Sequence, residues 1–163
     1  MKAQAIIFAW LALVAAADAG QAQKFLRIYV GSDQRVHLID GVRRDIAMAK
    51  EPGQRAVSGP KVSADGGTAG WFVEEDNCCT TYPIATRLVV RTARVKRVLS
   101  NGFMLYDWCF VDNTRIVVSS GTVHSMTGEF LDLYDAASGK RLQQMRRDPH
   151  ADRPEWARCL SQR

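Results

Sequence analysis

The sequence is short of most features that mark an enzyme, a membrane protein or a nucleic-acid binder. Its three histidines, His37, His124 and His150, are scattered along 163 residues, and no C-x-x-C pair accompanies them. A zinc site would need ligands at closer spacing. No glycine-rich run has phosphate-loop or dinucleotide spacing, so nothing calls for a nucleotide, and no other cofactor is implied. The strained G-x-S-x-G elbow of a serine nucleophile is absent. Basic residues outnumber acidic ones for a net charge of +5, but they are spread out and never cluster with aromatics. That pattern gives no nucleic-acid footprint. No stretch reaches the ~20 apolar residues of a membrane span, and no convincing amphipathic helix is found in the body of the chain.

What is present begins at the N-terminus. Met1-Lys2-Ala3-Gln4 precedes an apolar run from Ala5 to Ala17 and the small-residue site Ala17-Asp18-Ala19. A positive start, a short apolar core and an A-x-A site are the layout of a secretory signal peptide. The expectation is a signal at residues 1–19, cleaved after Ala19 with Ala17 as the competing site. No cysteine stands near that site, which argues against a lipid-anchored form. A secreted or periplasmic protein of residues 20–163 is left, enough for one domain with a real core.

Export governs how the four cysteines are read. In an oxidising compartment Cys78, Cys79, Cys109 and Cys159 are disulfide candidates with three possible pairings. If Cys78 and Cys79 lie on extended chain, their side chains point to opposite faces and take separate partners, Cys109 and Cys159. The rival is a bridge between the neighbours Cys78 and Cys79, with Cys109 joined to Cys159. Separate partners are preferred, since a bridge between neighbours forces unusual backbone geometry.

After the leader the chain reads as short strands punctuated by turns. Phe25 to Val30 and Val36 to Ile39 flank Gly31-Ser32-Asp33 as a hairpin, while Val42 to Lys50 is a short strand or one helical turn. Pro52-Gly53 and Ser58-Gly59-Pro60 read as breaks, and Asp65-Gly66-Gly67 and Asn101-Gly102 as turns that tolerate positive φ. One unit spans Lys61 to Leu99, a looser copy runs from about residue 107 to 142, and a partial one covers 25–47. Asp65 and Asp112 stand 47 positions apart, Leu88 and Leu131 43 apart, near the period of propeller blades. Ser63-x-Asp65-Gly66 before Gly70-Trp71-Phe72-Val73 resembles the turn in blades of Tol-type periplasmic β-propellers. Leu133 to Leu142 is similar to the outer hairpin of WD-repeat blades. The resemblance implies an all-β domain of two to three blade-like antiparallel meanders, too few for a closed propeller. Either the meanders pack as one compact chain, which is preferred, or several copies form a ring. A tail at 148–163 follows, with a short helix over Pro154 to Leu160 that Cys159 would pin to the sheet.

Candidate site residues are sparse. Glu74-Glu75-Asp76 is the only acidic run, and paired carboxylates can act on a glycoside only if they face each other across a cleft. Asp40, Asp65 and Asp112 stand beside turn residues, where an Asx hydrogen bond is the simpler role. Ser119 to Ser125 places hydroxyls near His124, and a loop joining two strands accounts for it. Among the aromatics, Trp71 and Trp108 belong to apolar strands, whereas Tyr82, between Thr81 and Pro83, is the one expected to be exposed. The loop Asn77 to Ile84 reads first as a disulfide-stapled connection and otherwise as a recognition surface, for which the candidate binding residues are Tyr82, Glu74, Glu75 and Asp76. The expected function is a non-catalytic, disulfide-stabilised binding protein of the cell envelope, with a protein or envelope component as partner, as a monomer or small homo-oligomer. A small envelope hydrolase using the carboxylates at 74–76 and an inhibitor of a secreted hydrolase are the alternatives.

Overall fold

The computed structural model describes residues 24–122, 128–148 and 151–161, so the expected signal peptide and its cleavage site lie outside the described residues. The described chain is all-β and forms three antiparallel meanders. The first sheet contains β1 (Phe25–Val30), β2 (Val36–Asp40) and β3 (Asp45–Ala47). The second holds β4 (Ala56–Val62), β5 (Thr68–Glu75), β6 (Ile84–Thr92) and β7 (Lys96–Leu99). The third holds β8 (Met104–Phe110), β9 (Arg115–Gly121), β10 (Glu129–Asp135) and β11 (Arg141–Arg147). Within each sheet every strand pairs with its neighbour in sequence, as connections too short for a crossover dictate.

The turn chemistry is visible in the hydrogen bonds. Asp40 accepts from the Val42 and Arg44 amides, Asp65 from Gly67, and Asp112 from Thr114 and Arg115. These amides, with the Arg115 guanidinium, outweigh burial and hold Asp112 down to about 2. Asp65 and Asp112 both close the turn between the first and second strands of their sheets, and the Asn113 side chain accepts from the Asp65 amide. Gly66 takes φ +72, and a Cβ there would stand 2.8 Å from the Phe25 carbonyl, which is why the turn needs glycine.

The second sheet is the middle layer. Ala69, Trp71, Val73 and Val89 face the first sheet's Phe25, Val36 and Leu38. Phe72, Leu88, Val90 and Leu99 face Leu105, Trp108, Ile116, Val118 and Tyr134 of the third. Burial on both faces explains why β5 is buried without interruption from Thr68 to Val73. Trp108 joins the layers: its indole N–H donates to the Gly59 carbonyl at 2.9 Å, and its ring fills the space above Gly70.

Four expectations are corrected. Ser58-Gly59-Pro60 does not break the chain but lies inside β4, an edge strand whose register shifts between Ser58 and Lys61. A proline is tolerated at such a bulged edge, where its missing N–H costs no ladder bond. Ser119 and Ser120, read as loop, belong to β9, their hydroxyls held by Glu129 and Asn101; His124 lies outside the described residues. The tail's short helix is a single 3-10 turn, Glu155–Ala157, preceded by Pro154. The cysteines do not take separate partners: Cys78 is bridged to Cys79 and Cys109 to Cys159. The physical reason is local. Asn77 bends the chain at 77–80, so the two cysteines are not on extended chain and the opposite-face argument does not apply.

Candidate functional site

The loop between β5 and β6 is organised by one side chain. Asn77 accepts from the Cys79 and Thr80 amides at 2.8 and 2.9 Å and donates to the Thr80 hydroxyl and the Tyr82 carbonyl. Strand pairing resumes at Glu75 opposite Ile84. Cys78 and Cys79 therefore stand exposed at the head of the loop, and Tyr82, 60% exposed, stands beside them. Ile84 turns inward and is buried.

Behind this loop lies a groove of about 570 Å³ between the second and third sheets. Cys78, Cys79 and Ile84 form one wall, and Phe103 and Met104 form the other. Phe103 is braced by the ring of Phe130, stacked at 4.8 Å. Three polar side chains of the lining are engaged within the protein, Asn77 in its loop, Thr86 with Glu75 and Ser100 with the Gly102 amide, and the Thr122 carbonyl accepts from the Tyr106 hydroxyl. The groove thus offers apolar surface and soft sulfur, a surface suited to an apolar group with few polar atoms.

The acidic run sits on the far side of Thr86, which borders both spaces. Glu75 and Asp76 line a second cavity of about 560 Å³ together with Glu51, Gln54 and Arg55. Glu75 accepts from Arg87 at 2.7 Å and from the Thr86 hydroxyl, Asp76 from Arg55 at 2.5 Å, and Glu51 from Lys96 at 2.7 Å. Arg87 also donates to the Pro52 carbonyl. Each carboxylate is neutralised by its own cation, so the cluster works as a brace tying the β3–β4 loop to the middle sheet. Glu74 lies on β5 opposite Ala56 and Ala85. Asp112 is engaged in its own turn in another sheet. The structure brings Glu75 and Asp76 together and does not bring Asp112 to them.

Phe103, Met104 and Thr86 were missed as site residues. Asn101-Gly102 leads from β7 into β8 of the next sheet, and nothing local in the sequence marks Phe103 and Met104 as a wall between the two sheets. Among the described residues no group of three or more His, Cys, Asp or Glu is placed to hold a metal ion. No described helix is long and apolar enough to cross a membrane. No protein-family model matches the chain, and no curated protein matches it significantly.

Proposed function

We propose that this chain is an exported, disulfide-stabilised binding domain of the cell envelope that acts without catalysis, and that the groove beside Tyr82 receives an apolar group of a protein partner. The observation that supports it most is the groove itself: two walls of sulfur and apolar side chains, the Asn77, Thr86 and Ser100 side chains engaged within the protein, and an exposed tyrosine on the loop that supplies one wall. A rigid sheet on either side holds such a surface ready and saves ordering entropy on binding. The loop that carries Tyr82 is shaped by Asn77, with its bridge inside the loop rather than across its base. An inhibitor's clamped, protruding loop would have the reverse arrangement.

The test uses the processed protein and N-phenyl-1-naphthylamine, a neutral apolar dye. One saturable site per chain is expected, with affinity reduced about tenfold or more by Met104→Lys and left unchanged by Glu75→Gln. The same Met104→Lys variant should fail to retain a partner from envelope extract that the parent retains. Dye binding insensitive to Met104→Lys would sink the reading. The hydrolase alternative keeps one observation in its favour, the cavity holding Glu51, Glu75 and Asp76. It predicts an activity on envelope glycans that Glu75→Gln abolishes.

A further inference from the structure

The two disulfides are placed for different work. Cys109–Cys159 spans 50 positions and ties the tail to the third sheet, with Cys109 buried. Cys78–Cys79 joins neighbours, crosses between no elements, and is exposed at the head of the recognition loop. A bridge between adjacent residues removes almost no freedom from the unfolded chain, because that effect grows with the length of the loop closed. Whatever this bridge contributes is therefore local: it sets the shape of the groove wall to which both cysteines belong.

We infer that Cys78–Cys79 is a reductant-operated latch on the groove, opened by a dithiol while Cys109–Cys159 stays closed. The inference rests on reading the groove as a binding site. One thiolate of the dithiol attacks an exposed sulfur, and the S–S bond breaks. Its electron pair leaves with the other cysteine sulfur, which takes up a proton. The dithiol's second sulfur then attacks its own mixed-disulfide sulfur and releases the second cysteine. The protein gains two electrons and two protons, and the dithiol ends as a cyclic disulfide. Once separate, each side chain is free to rotate about its own Cα–Cβ bond, and the two sulfurs no longer have to stay in contact. A sulfur that rotates out of the wall takes with it part of the apolar surface that both cysteines give the groove, while Asn77 keeps the loop's backbone in place.

Three readings on the oxidised, processed protein test this. Graded dithiothreitol with alkylation and mass spectrometry should label Cys78 and Cys79 at concentrations that leave Cys109 and Cys159 unlabelled. At those concentrations the affinity for N-phenyl-1-naphthylamine should fall about fivefold or more. The Cys78→Ser/Cys79→Ser double variant should show the lowered affinity from the start and no response to the reductant. Simultaneous opening of both bridges overturns the latch, as does dye binding that neither reduction nor the double substitution alters. In that second case the groove reading survives alone. Absence of saturable dye binding in the oxidised parent removes the groove reading and the latch together.

Discussion

The stack of three sheets has two ends, and they are finished in opposite ways. On the outer face of the third sheet Cys109, Val117, Leu131 and Leu133 are apolar and are covered by the tail's Trp156, Ala157 and Leu160. The cover is bolted on. Cys159 bridges to Cys109, Arg153 reaches Glu129 and the Leu160 carbonyl, and the Ser161 amide donates to Asp107. Among the described residues the outer face of the first sheet has no such cover, and it carries a polar cluster. Tyr29 stacks on His37 at 4.9 Å and donates to Asp45, while the imidazole lies between Asp45 and Asp33, and Arg27 sits over the tyrosine ring. A row of blade-like meanders that does not close on itself leaves two faces that a neighbour would have covered. One face is sealed by the chain's own tail and the other is made wettable.

The sharpest way to break the comparison is to unfasten the covered end. Replacing Cys109 and Cys159 together by serine should cost about 4 kcal/mol in urea unfolding, from the ~50-residue loop they close. The same replacement at Cys78 and Cys79 should cost under about 1 kcal/mol. Equal losses at the two pairs would contradict the division of labour between them. Next in size is the apolar patch beneath the tail. Leu131→Ala should cost about 3 kcal/mol, as a fully buried leucine that leaves a cavity. Tyr29→Phe, on the uncovered face, should cost about 0.5–1 kcal/mol, because it removes one hydrogen bond from a face that water reaches.

Much of the fold was legible because the turns carry their own chemistry. Asp65-Gly66, Asp112-Asn113 and Asn101-Gly102 announce reversals, and strand-length apolar runs fill the spaces between them. In central β5 the run Ala69 to Val73 reads as a continuous apolar segment, which follows from burial on both faces. What stayed hidden depends on approach between sheets. Pro60 inside an edge strand, and Phe103 with Met104 as a groove wall, are set by packing of one sheet on another, which no local signal encodes. The cysteine pairing failed for a narrower reason: one asparagine, Asn77, bent a segment that composition alone leaves extended. Tyr82 was found because a tyrosine between a threonine and a proline in a polar loop has no apolar neighbours in sequence to bury against.

The smallest expected effect separates the two ends by sign. Above all, the hydrogen bond to Asp45 raises the His37 pKa; burial works against this, and Asp33 adds to it, with Arg27 and Arg35 the cations nearby. A raised pKa means the charged imidazole stabilises the folded form fully below its ordinary 6.5, and that this contribution is lost as pH climbs through the raised value. Asp33 and Asp45 are both held low, so the same face also weakens when strong acid protonates them. At the covered end burial pushes Glu129 up, but the Ser119 hydroxyl and the Arg147 and Arg153 guanidinium groups more than offset it and hold its carboxyl low. That contribution is present above the ordinary 4.5 and disappears only as pH falls through the lowered value. Urea unfolding of the parent, His37→Gln and Glu129→Gln across pH reads the difference directly. The gap between parent and His37→Gln should narrow above neutrality, where the gap to Glu129→Gln stays constant. In acid the Glu129→Gln gap should close. Parallel pH profiles for the two variants would mean that the ends are not held by different chemistry after all.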